Sequence, residues 1–370
     1  MIRGSVSNKL EGRRIFLGIT GSIAAVECVK LARQLIRHGA DVIAVMSNEA
    51  CRFLPAESMK FATGNEVITQ LSGMAEHTQD GDMLLIAPCT ANTISKIALG
   101  IADNAVTTFA LAFEGKILVA PSMHLPMYEN VVTQENIKRC RERGIHFIPP
   151  KIEEGKAKMA DVEAIVEEVI RAFGDKSGKI LIIGGATYQP IDDVRGITNR
   201  STGKMAAAIA MEAYERGMDV MLWASFDAPD FIPSRRFVSV EDLKNMVEEE
   251  TEKYDAVINC AAISDFVVDK QEGKIKGGHE MVIHLKPSPR INPLLSKIGK
   301  KVIAFKLGGE NVLEEARNLL MKEKLDYVVA NRIESIGSDT TKIWIVGKEG
   351  VLEEAEGRKR EVAKKIIDLI

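Results

Sequence analysis

The sequence predicts two tandem Rossmann-like α/β domains, and three observations support this prediction. The 370 residues are enough for two domains of ordinary size, each with its own core. Short apolar segments alternate with helical patterns along the chain, which is typical of parallel, doubly wound sheets. The alternation pauses at the polar segment "GDKSG" and then restarts, so we place the domains at residues 1–174 and 175–370.

The first half contains five apolar segments of strand length. In chain order they are RIFLGIT, DVIAVMS, DMLLIAP, KILVAPSM and HFIPP. A helix is predicted over residues 22–38, and Gly39 would end it because glycine commonly follows a helix. A further helix over residues 160–173 closes this half.

The second half repeats the pattern with six apolar segments of strand length. In chain order they are KILIIGG, DVMLWAS, DAVINCAA, KKVIAFKL, YVVAN and TKIWIVG. Helices are predicted over residues 203–216, 240–253 and 312–324, and a last helix ends the chain. The longest irregular stretch, residues 265–280, is rich in Gly and Lys, and loops of that length are usually functional or disordered.

Composition narrows the classes of function. A net charge of −3 gives no global basic field, so a nucleic-acid partner is not predicted. The five cysteines form no C-x-x-C pair, which favours a reducing compartment. No signal peptide or long apolar run is visible, so we expect a cytoplasmic protein without a membrane partner. Glu- and Lys-rich helices with few aromatic residues are typical of thermophilic proteins.

Each half contains a turn rich in small residues between a predicted strand and a predicted helix. These turns are "GITGSIAA" at residues 18–25 and "GGATYQPIDDVRGITNRSTGKM" at residues 184–205. The unpaired N–H groups at a helix start attract phosphates, although a tight turn without a ligand remains an alternative for the first stretch. Neither turn has the pattern G-x-G-x-x-G, which argues against an NAD-dependent dehydrogenase.

Polar residues also follow the strand DMLLIAP. In "APCTANTISKIALGIADN" the side chains of Thr90, Asn92 and Thr93 come directly after this strand. Ligands of open α/β sheets bind at the carboxyl edge of the strands. We therefore expect Thr90, Asn92 and Thr93 to belong to the same site as the turn at residues 18–25.

Three motifs of the first half, "GITGSIAAVE", "APCTANTISKIALGIADN" and "PSMHLPMYEN", resemble those of the flavin-containing cysteine decarboxylases in order and spacing. This resemblance implies a flavodoxin-like domain that binds FMN. In that family the flavin oxidises a cysteine thiol, carbon dioxide is lost, and the flavin then reduces the product. The resemblance implies FMN contacts from Gly18, Thr20, Gly21, Ser22, Ser47, Pro88, Thr90, Asn92 and Thr93.

The resemblance also implies catalytic histidines and a substrate flap. His77, in "MAEHTQDGDM", is similar to the catalytic histidine of that family, although its spacing to the next strand is shorter. His124 stands where the family usually has Asn. The flap "KIEEGKAKMAD" retains Gly155, Lys158 and Met159 but lacks the family's cysteine.

The second half resembles the ligase domain of the bifunctional coenzyme A biosynthesis proteins, whose motif is P-I-D-x-V-R-x-I-S-N-x-S-S-G-K-M. Such a ligase activates 4'-phosphopantothenate with CTP and Mg²⁺ as an acyl-cytidylate, which the amine of L-cysteine attacks. The decarboxylase domain then converts 4'-phosphopantothenoylcysteine to 4'-phosphopantetheine. By this resemblance Asn199 stabilises the acyl-nucleotide, Arg195 serves the second step or its loop, and Lys274 contacts phosphates.

The same resemblance implies a set of nucleotide contacts. They are Gly185, Ser201, Gly203, Lys204, Ala261, Asp265, Lys274, Lys276, Pro289, Phe305 and Lys322. For Phe305 a role in the core is equally open, and Lys274 and Lys276 could belong to a solvated loop.

Several points remain open at this stage. The sequence does not decide between CTP and ATP, and it identifies no ligands for Mg²⁺. The resemblance implies a homo-oligomer built on trimers of the flavin domain, with a dodecamer as a larger assembly. An alternative function is a flavin-binding regulatory or assembly subunit in which the ligase domain alone is active.

Overall fold

A computed structural model describes residues 2–278 and 280–370. The chain forms two compact units, Met1–Phe173 and Gly174–Ile370. Each unit contains one main sheet with helices on both faces, as the sequence predicts. No helix among the described residues has the length and apolar character that a membrane crossing requires.

The main sheet of the first unit is parallel throughout, with the order β2-β1-β3-β4-β6. This is the flavodoxin-like strand order, so the predicted fold class is confirmed for this unit. The strands of the unit are β1 Arg14–Ile19, β2 Asp41–Met46, β3 Met83–Cys89, β4 Lys116–Pro121, β5 Met123–His124, β6 His146–Phe147, β7 Lys151–Glu153 and β8 Lys156–Lys158.

Seven helices surround these strands. They are α1 Cys28–Arg37, α2 Ala56–Thr63, α3 Ala91–Leu99, α4 Ala105–Ala112, α5 Leu125–Tyr128, α6 Val131–Glu142 and α7 Val162–Ala172. One core lies between the sheet and α1, α2 and α7, and the other lies between the sheet and α3, α4 and α6. All seven residues of the central strand β3 are buried, which explains why its sequence is a continuous apolar run.

The start of the first predicted helix differs from the prediction. Residues Ile23–Glu27 form a 3-10 turn, and the α-helix begins at Cys28. The Ser22 hydroxyl accepts a hydrogen bond from the N–H of Ala24, which tightens this first turn. The two remaining 3-10 turns of the unit are Ala50–Arg52 and Glu76–Thr78.

The predicted flap forms a β-hairpin. Strands β7 and β8 pair antiparallel through a turn at Glu154 and Gly155, both of which have positive φ angles. Glycine and short polar residues favour such two-residue turns. Strand β5 joins the other edge of β8, so His124 pairs with Lys156 and the flap is attached to the segment after β4.

The main sheet of the second unit has the order β13-β12-β9-β14-β17-β18-β19-β20. Its first six strands are parallel and have the Rossmann order 3-2-1-4-5-6, whereas β19 and β20 are antiparallel additions. The strands of the unit are β9 Lys179–Gly184, β10 Tyr188–Pro190, β11 Gly196–Thr198, β12 Asp219–Ala224, β13 Ser234–Arg236, β14 Tyr254–Asn259, β15 Phe266–Val268, β16 Leu285–Pro287, β17 Gly299–Gly308, β18 Tyr327–Arg332, β19 Thr340–Gly347 and β20 Gly350–Arg358.

Five helices cover the two faces of this sheet. They are α8 Lys204–Glu215, α9 Val240–Glu249, α10 Asn292–Leu295, α11 Val312–Glu323 and α12 Lys359–Ile367, with a 3-10 turn at Ile333–Ser335. Helices α8 and α12 pack on one face, whereas α9, α10 and α11 pack on the other.

Four strand features of this unit were not predicted, and the first is the edge strand β13. Strand β20 has a Glu-rich sequence that favours a helix, but Lys342 and Lys365 form ion pairs with its glutamates, and the strand forms a charged sheet edge. The turn at residues 184–205 contains the ribbon β10–β11. The segment predicted to be irregular begins with β15, which pairs with β16.

Candidate functional site

A cluster of hydroxyl groups lies at the carboxyl edge of the first sheet. Thr20 follows β1 and is 1% exposed. Its Oγ1 donates to the carbonyl oxygen of Pro88 at 2.8 Å and accepts from the N–H of Thr90 at 3.1 Å. Ser47, which follows β2, donates its N–H to the carbonyl oxygen of Ile19 at 3.0 Å. The structure therefore brings together residues that follow three neighbouring strands.

Ser122 belongs to this cluster, although the sequence analysis did not select it. Its hydroxyl lies 3.0 Å from the hydroxyl of Ser22, and its N–H donates to the carbonyl oxygen of Cys89 at 3.0 Å. Ser122 is the first polar residue after β4. Its position after a buried strand is the same signal that identified Thr90.

The polar residues after β3 begin helix α3. Thr90 caps this helix, since its Oγ1 accepts from the N–H of Thr93 at 3.3 Å. Thr93 is buried, and Asn92 is exposed on the first turn. Gly18 is the second-last residue of β1, and an added Cβ there would lie 3.2 Å from Val106.

These residues form a receptor for a phosphate group. The N–H groups of Gly21, Ile23 and Asn92 have no hydrogen-bond acceptor among residues 2–278 and 280–370. Such open donors at helix starts, with hydroxyl groups beside them, are the usual receptor for a phosphate. An added Cβ at Gly21 would lie 2.5 Å from the Cβ of Glu49, so the turn leaves no room for a side chain.

His77 lies outside the hydroxyl cluster. It is half-buried in the 3-10 turn Glu76–Thr78, which packs against helix α4. Its Nδ1 is buried and has no partner within the described part of the chain. No hydrogen bond of the described residues connects His77 to Thr20, Ser22 or Thr90, so its catalytic role stays a prediction.

His124 lies between the hydroxyl cluster and the flap. It is exposed, follows Ser122 by two residues and caps the short helix α5. The carbonyl oxygen of Gly155 accepts from the N–H of Leu125, the residue after His124. Lys158 forms ion pairs with Glu153 and Glu154 across the hairpin, and Met159 is buried.

No cysteine lies in the flap, and three cysteines elsewhere in this unit are poor proton donors. Burial raises the pKa of the Cys28 and Cys89 thiols well above the usual range. Cys140 is buried in the core beside α3 and α4, and burial raises the pKa of its thiol too. These thiols are stable in the neutral form and are packed away from solvent.

A pocket of about 590 Å³ opens at the carboxyl ends of β14, β17 and β18 in the second unit. Ligands bind at this edge in open α/β sheets. Of the residues selected from the sequence, the pocket is lined by Asn199, Ser201, Gly203, Lys204, Ala261, Asp265, Pro289 and Phe305. Phe305 also packs against the core below α8, so the ligand and core roles are compatible.

Five selected residues do not line this pocket, namely Gly185, Arg195, Lys274, Lys276 and Lys322. Gly185 has φ +100°, and an added Cβ would lie 2.1 Å from the Oγ of Ser225, so close packing explains this glycine. Lys274 and Lys276 are exposed on their loop, and Lys322 is exposed on α11. Their proposed contacts with a nucleotide have no counterpart in the pocket lining.

One end of the pocket favours anions. Gly203, with φ +72°, precedes α8, and no side chain in the described part of the chain caps this helix. Lys204 pairs with Asp339 at 2.6 Å. Burial, followed by the charge of Lys204, lowers the pKa of Lys359, which also lines the pocket. Two neighbouring cations beside an uncapped helix start form a site for phosphate groups.

Asn199 lies at the mouth of the pocket. Its Nδ2 donates to the carbonyl oxygen of Ala262 at 2.8 Å, so the amide extends from the β10–β11 ribbon to the residues after β14. It lines both the main pocket and a smaller adjacent one. The remaining N–H and the amide oxygen of Asn199 can therefore contact a ligand.

Arg195 and Asp192 hold the lysine loop in place. Asp192 is buried, and its carboxylate accepts from Arg195 Nε at 3.0 Å and from the N–H of Ile275 at 3.1 Å. Arg195 Nη2 donates to the carbonyl oxygen of Ile275 at 2.7 Å. Arg195 therefore contacts the loop that contains Lys274 and Lys276.

These contacts give a prediction about pH. The hydrogen bond from Arg195, joined by backbone N–H groups, holds the pKa of Asp192 well below its usual range. Because the folded pKa is depressed, Asp192 stabilises the fold above its unfolded pKa of about 3.9, and this contribution is lost as pH falls through the folded pKa. Urea unfolding should therefore show Asp192→Asn to be destabilised at pH 7, with a gap to wild type that narrows below about pH 4. A gap that stays constant into stronger acid would contradict this assignment.

The two units match two family models. Residues 3–174 match the Flavoprotein family, and residues 176–370 match the DNA/pantothenate metabolism flavoprotein C-terminal domain. The coenzyme A biosynthesis bifunctional protein CoaBC of Thermococcus kodakarensis is 42% identical, over 100% of this chain and 98% of that protein. The chain belongs to the family of coenzyme A biosynthesis bifunctional proteins. The resemblance of both halves to this family is thereby confirmed.

Two further proteins are similar to this chain. The CoaBC protein of Methanocaldococcus jannaschii is 36% identical, over 100% of this chain and 96% of that protein. A solved structure, the DNA/pantothenate metabolism flavoprotein from Streptococcus pneumoniae, is 25% identical with a TM-score of 0.47 and covers 52% of this chain and 97% of that one.

Proposed function

We propose that this protein catalyses two successive steps towards coenzyme A. The second unit joins L-cysteine to 4'-phosphopantothenate, and the first unit decarboxylates the resulting 4'-phosphopantothenoylcysteine to 4'-phosphopantetheine. The observation that carries this proposal is the pocket at β14, β17 and β18, which combines Asn199 with an uncapped helix start. Neither the structure nor the relatives favour a purely regulatory flavin-binding subunit.

In the ligase unit, the positive end of the pocket would hold the phosphates of CTP. The open N–H groups of α8 and the cations Lys204 and Lys359 would balance the negative charge that develops on the α-phosphate. Mg²⁺ would arrive with the nucleotide, because this ion is bound mainly by substrate phosphates in such sites. Asn199 would donate to the acyl-nucleotide while its other N–H remains on Ala262.

In the decarboxylase unit, the hydroxyl cluster would hold FMN. Ser22 and Ser122 would fix the phosphate end, and the open N–H groups of Gly21 and Ile23 would donate to it. The buried Thr20 would position this site through its hydrogen bonds with Pro88 and Thr90. FMN, when bound, would take up and return the two electrons that make loss of the carboxylate possible. His77 would move a proton of the substrate, while His124 and the flap hairpin would hold its carboxylate end.

We also propose a homo-oligomer built on the first unit. Several large apolar side chains of this unit are exposed, including Phe61, Met74 and Leu111 at 79%, 83% and 62%. Where such side chains form one contiguous patch, they mark an assembly face. Light scattering after size-exclusion chromatography would distinguish a trimer or dodecamer from a monomer.

The protein should purify yellow, with FMN released by acid. The absorption spectrum and chromatography of the released cofactor check this result. Ser22→Ala should lower FMN retention about tenfold, because the substitution removes the hydroxyl that lies beside Ser122 and would contact the ligand. Ser5→Ala is the matched control, because Ser5 is exposed and lies outside the cluster. A colourless protein that FMN cannot reconstitute would contradict the decarboxylase assignment and leave the ligase assignment standing.

A further inference from the structure

The ligase pocket contains a chain of three polar side chains that the sequence analysis did not select. Asn259 ends β14 and is 5% exposed. Its Nδ2 donates to Asn292 Oδ1 at 2.6 Å, and Asn292 Nδ2 donates to Glu323 Oε2 at 2.8 Å. All three residues line the pocket. The three residues come from β14, α10 and α11, so only the fold brings them together.

The direction of this hydrogen-bond chain follows from its first member. The N–H of Ala261 donates to Asn259 Oδ1 at 3.2 Å, so the Asn259 amide group must donate to Asn292. The oxygen of Asn292 is thus occupied, and its amide group donates to Glu323. Within residues 2–278 and 280–370 no other donor contacts the Glu323 carboxylate, so its Oε1 remains an open acceptor.

Glu323 lies across the sheet from the phosphate end of the pocket. Helices α10 and α11 pack on one face of the sheet, whereas α8 and α12, which contribute Lys204 and Lys359, pack on the other. A carboxylate repels phosphates, so a nucleotide would place its uncharged part beside Glu323. Ile291 and Leu319 line the same end and provide apolar surface for a flat ring.

We propose that Glu323, oriented by Asn292, recognises the exocyclic amino group of the nucleotide base. This inference rests on the proposed ligase function. An ionised carboxylate accepts hydrogen bonds and donates none. Cytosine and adenine present an amino donor, which glutamate can bind, whereas uracil and hypoxanthine present a carbonyl oxygen at the same position. The site therefore selects amino-bearing bases, and Glu323 is a specificity-determining residue.

Two pairs of nucleotides test this proposal on the full-length protein. CTP and UTP differ in the amino or carbonyl group at one ring position, and so do ATP and ITP. For the pair that fits the pocket, the kcat/KM of amide formation should be roughly 10- to 100-fold higher with the amino-bearing nucleotide. This ratio corresponds to the free energy of one hydrogen bond to a charged group. Comparing the two pairs shows whether a pyrimidine or a purine is preferred.

Glu323→Gln should reduce this preference at least several-fold, because an amide can also donate to a carbonyl oxygen. Asn292→Ala should reduce it as well, since Glu323 loses the amide that orients it. The matched control is Glu314→Gln, the same substitution at an exposed position of α11 outside the pocket, which should leave the preference unchanged.

Two results would overturn the assignment of Glu323. One is equal use of amino and carbonyl bases by the wild-type protein. The other is a Glu323→Gln variant whose kcat/KM changes equally for both members of each pair. If no nucleotide supports amide formation by the folded protein, the proposed ligase function is wrong. In that case, calorimetry with the same four nucleotides tests the role of Glu323 independently, and the affinities should show the same ratios.

Discussion

Asn199→Asp should lower the rate of amide formation by roughly 10²- to 10³-fold while nucleotide affinity changes little. Loss of one preorganised donor to a charge that develops during the reaction typically has an effect of this size. The aspartate would also lose its hydrogen bond to the carbonyl oxygen of Ala262, because a carboxylate cannot donate. Its negative charge would lie close to the acyl phosphate.

Pyrophosphate release with and without cysteine separates activation from amide formation, and calorimetry measures the affinity for the nucleotide. Asn318→Asp is the matched control, since Asn318 is exposed on α11 and does not line the pocket. Near-normal amide formation by Asn199→Asp would mean that residues 184–210 have no catalytic role, and the ligase assignment would have to be abandoned.

The local pattern of the sequence was enough to predict both sheets. Strands such as β3 and β9 are buried on both faces, so their apolar runs are unbroken. Strand β20 was not predicted, because its glutamates favour a helix and are instead paired with lysines of neighbouring elements. Those ion pairs depend on tertiary structure, which the helix and strand propensities of individual residues do not reflect.

The residues of a candidate site were predictable where a single sequence motif contains all of them. Thr90 and Thr93 are neighbours in one motif, and the helix start at Lys204 is contiguous with its turn. Ser22 and Ser122 are 100 residues apart, and Asn259, Asn292 and Glu323 lie on three elements. Such contacts depend on the order of the strands in the sheet, which a single motif does not reveal.

The roles of some basic residues also depended on the fold. Arg195 could be assigned to the reaction or to its loop from the motif alone. The structure places its guanidinium between the buried Asp192 and the carbonyl oxygen of Ile275, which favours the loop. The family resemblance implied Lys322 as a nucleotide contact, but the adjacent Glu323 lines the pocket instead. A shift of one position on a helix rotates a side chain by about 100° and changes the surface that it faces.

His77→Asn should abolish the release of carbon dioxide from 4'-phosphopantothenoylcysteine, with a loss of roughly 10²- to 10⁴-fold, and leave ligase activity within a few-fold. Removal of a general acid or base has an effect of this size. His77 belongs to the unit Met1–Phe173, whereas Asn199 and its pocket belong to Gly174–Ile370, so the ligase machinery is not altered. The Nδ1 of His77 is buried and unpartnered within the described residues, so asparagine removes no visible structural hydrogen bond.

The control for this substitution is His146→Asn in the same unit. His146 is exposed, and its Nε2 lies 3.3 Å from the carboxylate of Glu168, so its replacement should affect neither activity by more than a few-fold. Carbon dioxide release, amide formation and bound FMN are measured on both variants. Equal loss of both activities in His77→Asn, together with loss of FMN, would show that His77 supports folding or assembly. Selective loss of carbon dioxide release with FMN retained would place His77 in the chemical step, because the cofactor would still be bound and the reaction would lack only its proton carrier.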